Sequence, residues 1–403
     1  MSAGYRHGSA EYRRVVASLF AAGLATFTLL YSTQALLPDL REQFGVSAEA
    51  STLSISLTTL GIGAGLLVAG PVSDVVGRTR LIHLSLAASV VAGIASALAP
   101  TWPALLVLRF VAGVVLAGLP AVATAYLREE LHRESQGRAV GLYVGGTAFG
   151  GMSGRLVAGL GAELGGWRWG IGATVVVALV CALVVRIALP ASRGFRASPG
   201  NPRALLAMTR RALSDRGLLA LYAIGGCSLG ALVAIFNAVG FRLTDEPFSL
   251  GLGAASMVFL VYPLGTLSSA WFGRAVDLRG RRPVIPAAVV IAIAGVLITI
   301  PDHLPLIVLG LAVLIVGFFG LHGIASGWVP IRAVAGGTSA GQAASLYLFT
   351  YYLGSSVFGS ASGLAWTHGG WNGVVALAIT LLVVTAVLIR VLHRTPSLVP
   401  GRW

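Results

Sequence analysis

The stretch Gly70-Pro71-Val72-Ser73-Asp74-Val75-Val76-Gly77-Arg78-Thr79-Arg80 decides how the chain is read, because it occurs twice. Gly70, Asp74, Gly77 and Arg78 return 203 residues later as Gly273, Asp277, Gly280 and Arg281. Each copy is a polar, arginine-bearing turn between two apolar runs. Outward from these turns a second set repeats at an offset of 204: Gly137, Leu142, Tyr143, Gly150, Gly159, Gly165, Gly166 and Trp167 match Gly341, Leu346, Tyr347, Gly354, Gly363, Gly369, Gly370 and Trp371. The chain is therefore an internal duplication.

The runs that flank the turns are long enough to cross a bilayer, which takes about 20 apolar residues. Six are expected near 15–37, 51–70, 79–99, 103–127, 137–160 and 168–189, and six more near 217–241, 252–272, 283–301, 305–328, 340–365 and 371–392. Only 10% of the 403 residues are charged, against about 25% in a soluble domain. The fold class that follows is all-α and integral to the membrane, with twelve transmembrane helices in two duplicated six-helix bundles. The expected organisation is an N-terminal tail over 1–14, a bundle over 15–189, a linker over 190–216, a bundle over 217–392 and a C-terminal tail over 393–403. A short surface helix is expected around Pro202 to Leu213 within that linker.

The formal charge of +14 comes from 28 arginines and no lysine against 14 acids. Nucleic-acid binding is the obvious reading of such a chain, but placement argues for topology instead. All but five arginines fall on one side of the spans, the pattern of short cytoplasmic loops. Arg41, Arg168 and Arg242 fall on the other side; Arg109 and Arg155 fall inside spans. Both termini are thus expected in the cytoplasm and the protein in the inner (plasma) membrane, without a nucleic-acid partner. The absence of lysine excludes a Walker A phosphate loop and Schiff-base catalysis. Cys181 and Cys227 lie in apolar runs, as small core residues do. No cofactor, metal or compact catalytic constellation is indicated, so an enzyme is not expected.

Duplicated six-helix halves related by an axis along the membrane normal enclose a cavity at their interface, exposed to each side in turn. The paired turns resemble the signature loop of the major facilitator superfamily, and the resemblance covers essentially the whole chain. The nearest branch is the twelve-helix drug:proton antiporter-like one, of the bacterial arabinose-efflux and multidrug permease type. That resemblance implies a small-molecule substrate, protons as the coupling ion, the lipid bilayer as surroundings and a monomer. It also implies that Asp74 stabilises the outward-open state, with Arg128 as its partner, and makes Gly70, Gly77, Arg78, Gly273, Asp277, Gly280 and Arg281 part of the gating machinery.

Further resemblances assign roles within the spans. The segment around Arg109 in the fourth span is similar to the family's second motif, whose arginine faces the cavity and is linked to proton coupling; the duplicated position in the tenth span is Val313. Because an arginine at the centre of a span costs about +2.5–3.5 kcal/mol on insertion scales, a functional role is the default. Gly146 to Gly159 is similar to the antiporter motif of the fifth span, including Gly150 and Gly154, but Arg155 stands where the family has proline. Counted at 1.5 Å per residue from Gly137, Arg155 lies about 27 Å along the helix, where it either gates the far side or snorkels to the interface.

The first span ends in a segment similar to the family's first-helix motif, and its Tyr31 and Gln34 share the depth of Arg109. Polar residues within spans face the bundle interior, so Asn237, His322, Tyr347, Tyr351 and Tyr352 are the second half's candidate cavity residues. No Asp or Glu lies deep in a span; Asp39 and Glu163 stand at helix ends and are the candidate proton carriers, with Arg109. A cavity with arginines and no central acid has a positive potential, which favours anionic, zwitterionic or neutral amphipathic substrates over cations. Proton-linked efflux is the expected activity; a proton-symport importer of a small metabolite, or a non-transporting membrane receptor or enzyme, are the alternatives.

Overall fold

The computed structural model describes residues 4–195 and 202–398, so Arg196, Arg402, the linker positions 196–201 and the outermost residues of both tails lie outside it. Helices in chain order are α1 (Ala10–Leu30), α2 (Leu37–Phe44), α3 (Ala48–Val76), α4 (Arg78–Ala97), α5 (Trp102–Leu116), α6 (Gly118–Glu130), α7 (Arg133–Gly165), α8 (Trp167–Ala188), α9 (Pro202–Ser214), α10 (Arg216–Thr244), α11 (Leu252–Ser256), α12 (Leu264–Arg279), α13 (Arg281–Ile298), α14 (Leu304–Ala335) and α15 (Ala340–Arg394). Among the described residues ten helical segments are long and apolar enough to cross a membrane. The 55-residue α15 is two spans joined at Gly370, and the glycine-rich α7 completes twelve. The chain is an all-α integral membrane protein of twelve spans. The helix expected near 202–213 is α9.

Three spans that read as continuous in the sequence are broken, and each break precedes a proline. α1 stops at Leu30 and resumes as a 3-10 turn over Gln34–Leu36 and then α2, with Pro38 its second residue. α5 and α6 meet at Ala117, ahead of Pro120. Between α11 and α12 a 3-10 turn over Met257–Val261 leads to Pro263. A proline lacks the N–H that the carbonyl four residues earlier needs, so Gln34, Leu116 and Phe259 lose their helical donors and the chain tightens to i+3 bonds, as in Leu36 N–H to Thr33 O at 3.0 Å and Tyr262 N–H to Phe259 O at 3.1 Å.

The duplicated turns owe their glycines to backbone geometry. Gly77 between α3 and α4 has φ +101°, and its repeat Gly280 between α12 and α13 has φ +83°. Gly166 between α7 and α8 has φ +78°, and its repeat Gly370 has φ +53°. Side chains rarely adopt such angles, so these four positions keep glycine in both halves.

The chain forms two compact units: one of residues 1–44, 57–200 and 251–257, the other of 45–56, 201–250 and 258–403. In the first, α7 lies against α1 with almost no side chain between them. A Cβ at Gly146, Gly150 or Gly154 would come within 2.4, 2.5 and 2.4 Å of the carbonyl oxygens of Phe20, Leu24 and Thr28 respectively. Positions four apart on one helix meet positions four apart on the other, the close small-residue packing that substitutes for a hydrophobic driving force in lipid. That contact sets the register of the residue after Gly154, which is Arg155.

The second unit is tied at the start of α10. Asp215 caps that helix by accepting from Leu218 N–H at 2.8 Å, and it pairs through both carboxylate oxygens with Arg332 of α14, at 2.6 and 3.1 Å. Burial pushes the Asp215 carboxyl up, but the Arg332 guanidinium and the N–H groups of Leu218 and Gly217 more than offset this, leaving it below the usual carboxylate range. The pair's contribution is therefore complete above the unfolded carboxylate value of about 3.9 and is lost as pH falls through the lower folded-state value.

Two expectations follow. Asp215→Asn leaves a buried guanidinium without its counter-charge and should destabilise the neutral-pH protein by about 3 kcal/mol, the gap to wild type closing on acidification below about pH 4; thermal unfolding in detergent across pH measures it, and a pH-independent gap would contradict the assignment. Gly150→Leu drives a side chain into the α1 backbone and should cost upwards of about 2 kcal/mol, read as loss of monodisperse protein in size-exclusion chromatography.

Candidate functional site

The candidate residues of the first unit gather on the break in α1. Leu29 and Leu30, at the end of that helix, lack the regular i+4 donors: the Leu29 carbonyl accepts from Ser32 N–H at 3.5 Å and Ser32 Oγ at 2.9 Å instead. Arg109 of α5, 1% exposed, donates to Leu29 O at 3.2 Å, Leu30 O at 2.9 Å and Ser32 Oγ at 3.2 Å. Its positive charge sits at the negative end of the α1 dipole. Two further arginines outside the arginine-rich side behave alike: Arg168 donates to Ala99 O beyond α4 at 3.1 Å, and Arg242 to Ile300 O and Pro301 O beyond α13 at 3.0 Å each and to Asp302 at 2.8 Å. Arg109 is thus a C-terminal cap placed inside a span.

Arg155 is bound differently. It is also 1% exposed, so its guanidinium stays within the helices rather than snorkelling to an interface. Its Nε donates to Gln34 Oε1 at 2.6 Å, and Nη1 donates to Gly151 O of its own helix. The guanidinium carbon lies 3.9 Å from the centre of the Tyr31 ring, a close cation–π contact. Tyr31 and Gln34, one on each side of the break, are therefore drawn by their side chains to one guanidinium, whereas Arg109 holds the break mainly through the Leu29 and Leu30 carbonyls. Every oxygen in these hydrogen bonds is neutral.

The second unit gathers an aromatic group. His322 Nδ1 lies 3.0 Å from Tyr347 Oη, its ring stacks on Phe318 at 5.9 Å and meets Tyr351 at 4.7 Å, and Tyr351 meets Tyr352 edge-on at 5.2 Å. His322 and Tyr351 are half-buried, while Tyr347 and Tyr352 are buried. Asn237 stands apart from this group, fully buried, with its Nδ2 donating to Gly359 O at 3.2 Å. Phe318 belongs to the group and escapes a reading that looks only for polar residues; its signal is its place four residues before His322 on one helix face.

The candidate acids occupy helix ends. Asp39 is half-buried in α2, with Oδ2 enclosed and without a hydrogen-bond partner. Glu163 is exposed near the end of α7, and its Oε1 accepts from Gly253 N–H of α11 at 2.9 Å.

At the first duplicated turn the ion pair of Asp74 is with Arg78, at 2.7 Å, and Arg78 also reaches Glu129 at 3.2 Å. Arg128 was the expected partner; its side chain is exposed, and the i,i+4 spacing across Gly77 brings Arg78 to Asp74 instead. Gly70 and Gly273 face open space. In the second copy Asp277 is the charged neighbour of Arg281. Glu130, unnoticed in the sequence, accepts from Ser192 Oγ and from the N–H groups of Arg193 and Gly194 at 2.7–2.8 Å, fixing the chain as it leaves α8.

A glycine-packed bundle with broken spans, buried arginines at one break and a polar aromatic group in the duplicated half agrees with the chain's likeness to known proteins. Residues 19–359 match the family model described as Major Facilitator Superfamily. An uncharacterized MFS-type transporter, YybF of Bacillus subtilis (strain 168), is 40% identical over 97% of this chain and 96% of its own. The inner membrane transport protein YnfM of Escherichia coli (strain K12) is 38% identical over 96% of this chain and 93% of its own. In fold, the chain resembles the crystal structure of a bacterial homologue of the human lysosomal transporter Spinster, with a TM-score of 0.76 and 14% identity, covering 98% of this chain and 99% of that one. On the family match and on the identity and coverage of these relatives, the chain belongs to the Major Facilitator Superfamily and is a multi-pass membrane transporter.

Proposed function

We propose that the protein is a proton-linked secondary transporter of the bacterial inner membrane that exports small anionic, zwitterionic or neutral amphipathic molecules by alternating access. In this reading the bundles over 15–189 and 217–392 rock about the linker 190–216, with both termini and the arginine-rich turns in the cytoplasm, in the manner of the drug:proton antiporter-like branch.

The observation that carries the substrate class is Arg155. Its guanidinium is held inside a span by the Gly151 carbonyl, a tyrosine ring and a glutamine amide, and the two side chains among these neutral partners can rotate away to admit an anion. A carboxylate offered to the fork replaces the Gln34 bond with a charge-assisted pair of roughly twice the strength. Arg109 supplies positive potential beside it while keeping the α1 break intact. Asn237, His322, Tyr347, Tyr351 and Tyr352 supply the second half's contacts, with the accessible rings of His322 and Tyr351 suited to stacking on an aromatic or amphipathic body. Asp39, whose enclosed oxygen has no donor, is the first candidate for the proton, with Glu163 and Arg109 as further members of the coupling set.

At the duplicated turns, Asp74 with Arg78 and Asp277 with Arg281 are the charged elements of the gate, and Gly77 and Gly280 are the points about which the adjoining helices turn. The glycine contact of α7 on α1 is a surface along which small displacements transmit to Arg155.

The test is the thermal shift of detergent-purified protein against paired aromatic carboxylates and quaternary ammonium ions of equal size. Binding to the folded state at 100-fold over Kd stabilises by about 2.7 kcal/mol. Carboxylates should stabilise the wild type and fail with Arg155→Gln, while Arg155→Lys recovers little, because an ammonium lacks the planar fork. Stabilisation by the cations, or carboxylate binding unaffected by Arg155→Gln, would overturn the substrate class. In proteoliposomes, outward transport should follow an inward proton gradient and Asp39→Asn should abolish the gradient dependence; accumulation driven by proton symport would identify an importer instead.

A further inference from the structure

We infer that the crevice between the first turns of α1 and α7 is a binding site for one anionic phospholipid. It has a volume of about 480 Å³. Its rim is cationic and its floor apolar: Arg13 of α1 and Arg138 of α7 face it together with His7, and Ala17, Phe20 and Leu142 line it deeper in. Arg13 and Arg138 each stand at the end of a polar segment, immediately before the apolar run of their own helix begins. That is the depth of the headgroup layer, where basic pockets between spans take anionic lipid headgroups.

The rim is preformed. The His7 backbone N–H donates to Ser135 Oγ at 3.0 Å, the His7 ring packs edge-on against Tyr12 at 5.1 Å, and its Nε2 lies 2.9 Å from Arg138 Nη1. Three cationic or polar groups from two helices therefore converge at one spot.

The α7 glycines next to the crevice-lining Arg138 and Leu142 differ from Gly146, Gly150 and Gly154 in making no close helix contact. A Cβ at Gly137 or Gly141 would meet nothing within 4 Å, and one at Gly145 would only graze the Phe20 ring at 3.9 Å. These positions recur every four residues on one face of α7 and leave open space rather than a helix contact. The opening continues to the Phe20 and Phe149 rings, 6.2 Å apart, with Phe149 exposed. A trough that starts at paired arginines and runs along the span between apolar side chains fits a phosphate with an acyl chain attached; a soluble anion would use the rim alone.

The test titrates purified wild-type protein with phosphatidylglycerol, phosphatidylcholine of the same chains, and inorganic phosphate, read by native mass spectrometry and thermal unfolding. Phosphatidylglycerol should bind at least fivefold more tightly than phosphatidylcholine and raise the unfolding temperature, and inorganic phosphate should do neither. The double variant Arg13→Gln/Arg138→Gln, at exposed positions, should reduce the preference to about one without changing the lipid-free unfolding temperature. Ala17→Leu, at an exposed position that lines the crevice, should fill it and lower binding of both lipids. Equal binding of the two lipids, a preference that survives the double variant, a wild-type level of binding by Ala17→Leu, or a thermal shift from inorganic phosphate equal to that from the lipid would each overturn the inference.

Discussion

A carbonyl inside the apolar layer must find a donor, and the structure is organised by how this chain meets that demand where its spans are broken. Pro38, Pro120 and Pro263 each strip a carbonyl of its helical N–H, those of Gln34, Leu116 and Phe259, and the helices that end beside these breaks leave further carbonyls to be met. At the α1 break Arg109 supplies donors to Leu29 and Leu30, and at the α5–α6 junction Ser85 donates to Val115 O at 2.6 Å. The magnitudes favour the arrangement: an unsatisfied amide in an apolar medium costs roughly 2–7 kcal/mol, so a donor to the Leu30 carbonyl is comparable to the ~3 kcal/mol insertion cost of the arginine. Once α1 is broken and held, Tyr31 and Gln34 leave the helical register and turn toward Arg155. The glycine contact between α7 and α1 delivers Arg155 to them.

Much of this was legible in the sequence, and for identifiable reasons. The duplication survives where backbone geometry demands glycine, at Gly77 and Gly280 and at Gly166 and Gly370, and these are the positions that align at offsets of 203 and 204. Span positions follow from hydropathy because lipid enforces it. The fitting of Arg109 to the α1 carbonyls was not legible, since a cap inside a span depends on a break that hydropathy does not register. Nor was the partner of Asp74, which is set by the turn at Gly77 rather than by the end of α6, nor the pair of Asp215 with Arg332, separated by more than a hundred residues. Among the α7 glycines, Gly146, Gly150 and Gly154 touch α1 while Gly137, Gly141 and Gly145 leave space. Only the azimuth of the helix distinguishes the two.

Four arginines outside the arginine-rich side divide by what they hold. Arg109, Arg168 and Arg242 terminate helices, a structural duty that fixes backbone. Arg155 instead brings together the side chains of Tyr31 and Gln34 and the Gly151 carbonyl, at the point where the first span changes direction.

The most direct measurement of that central point is the current from proteoliposomes on a solid-supported membrane when matched carboxylates and quaternary amines are presented under a proton gradient. The account predicts a gradient-dependent current with the carboxylates that Arg155→Gln removes. A current with the amines, or a carboxylate current that persists in Arg155→Gln, would contradict it.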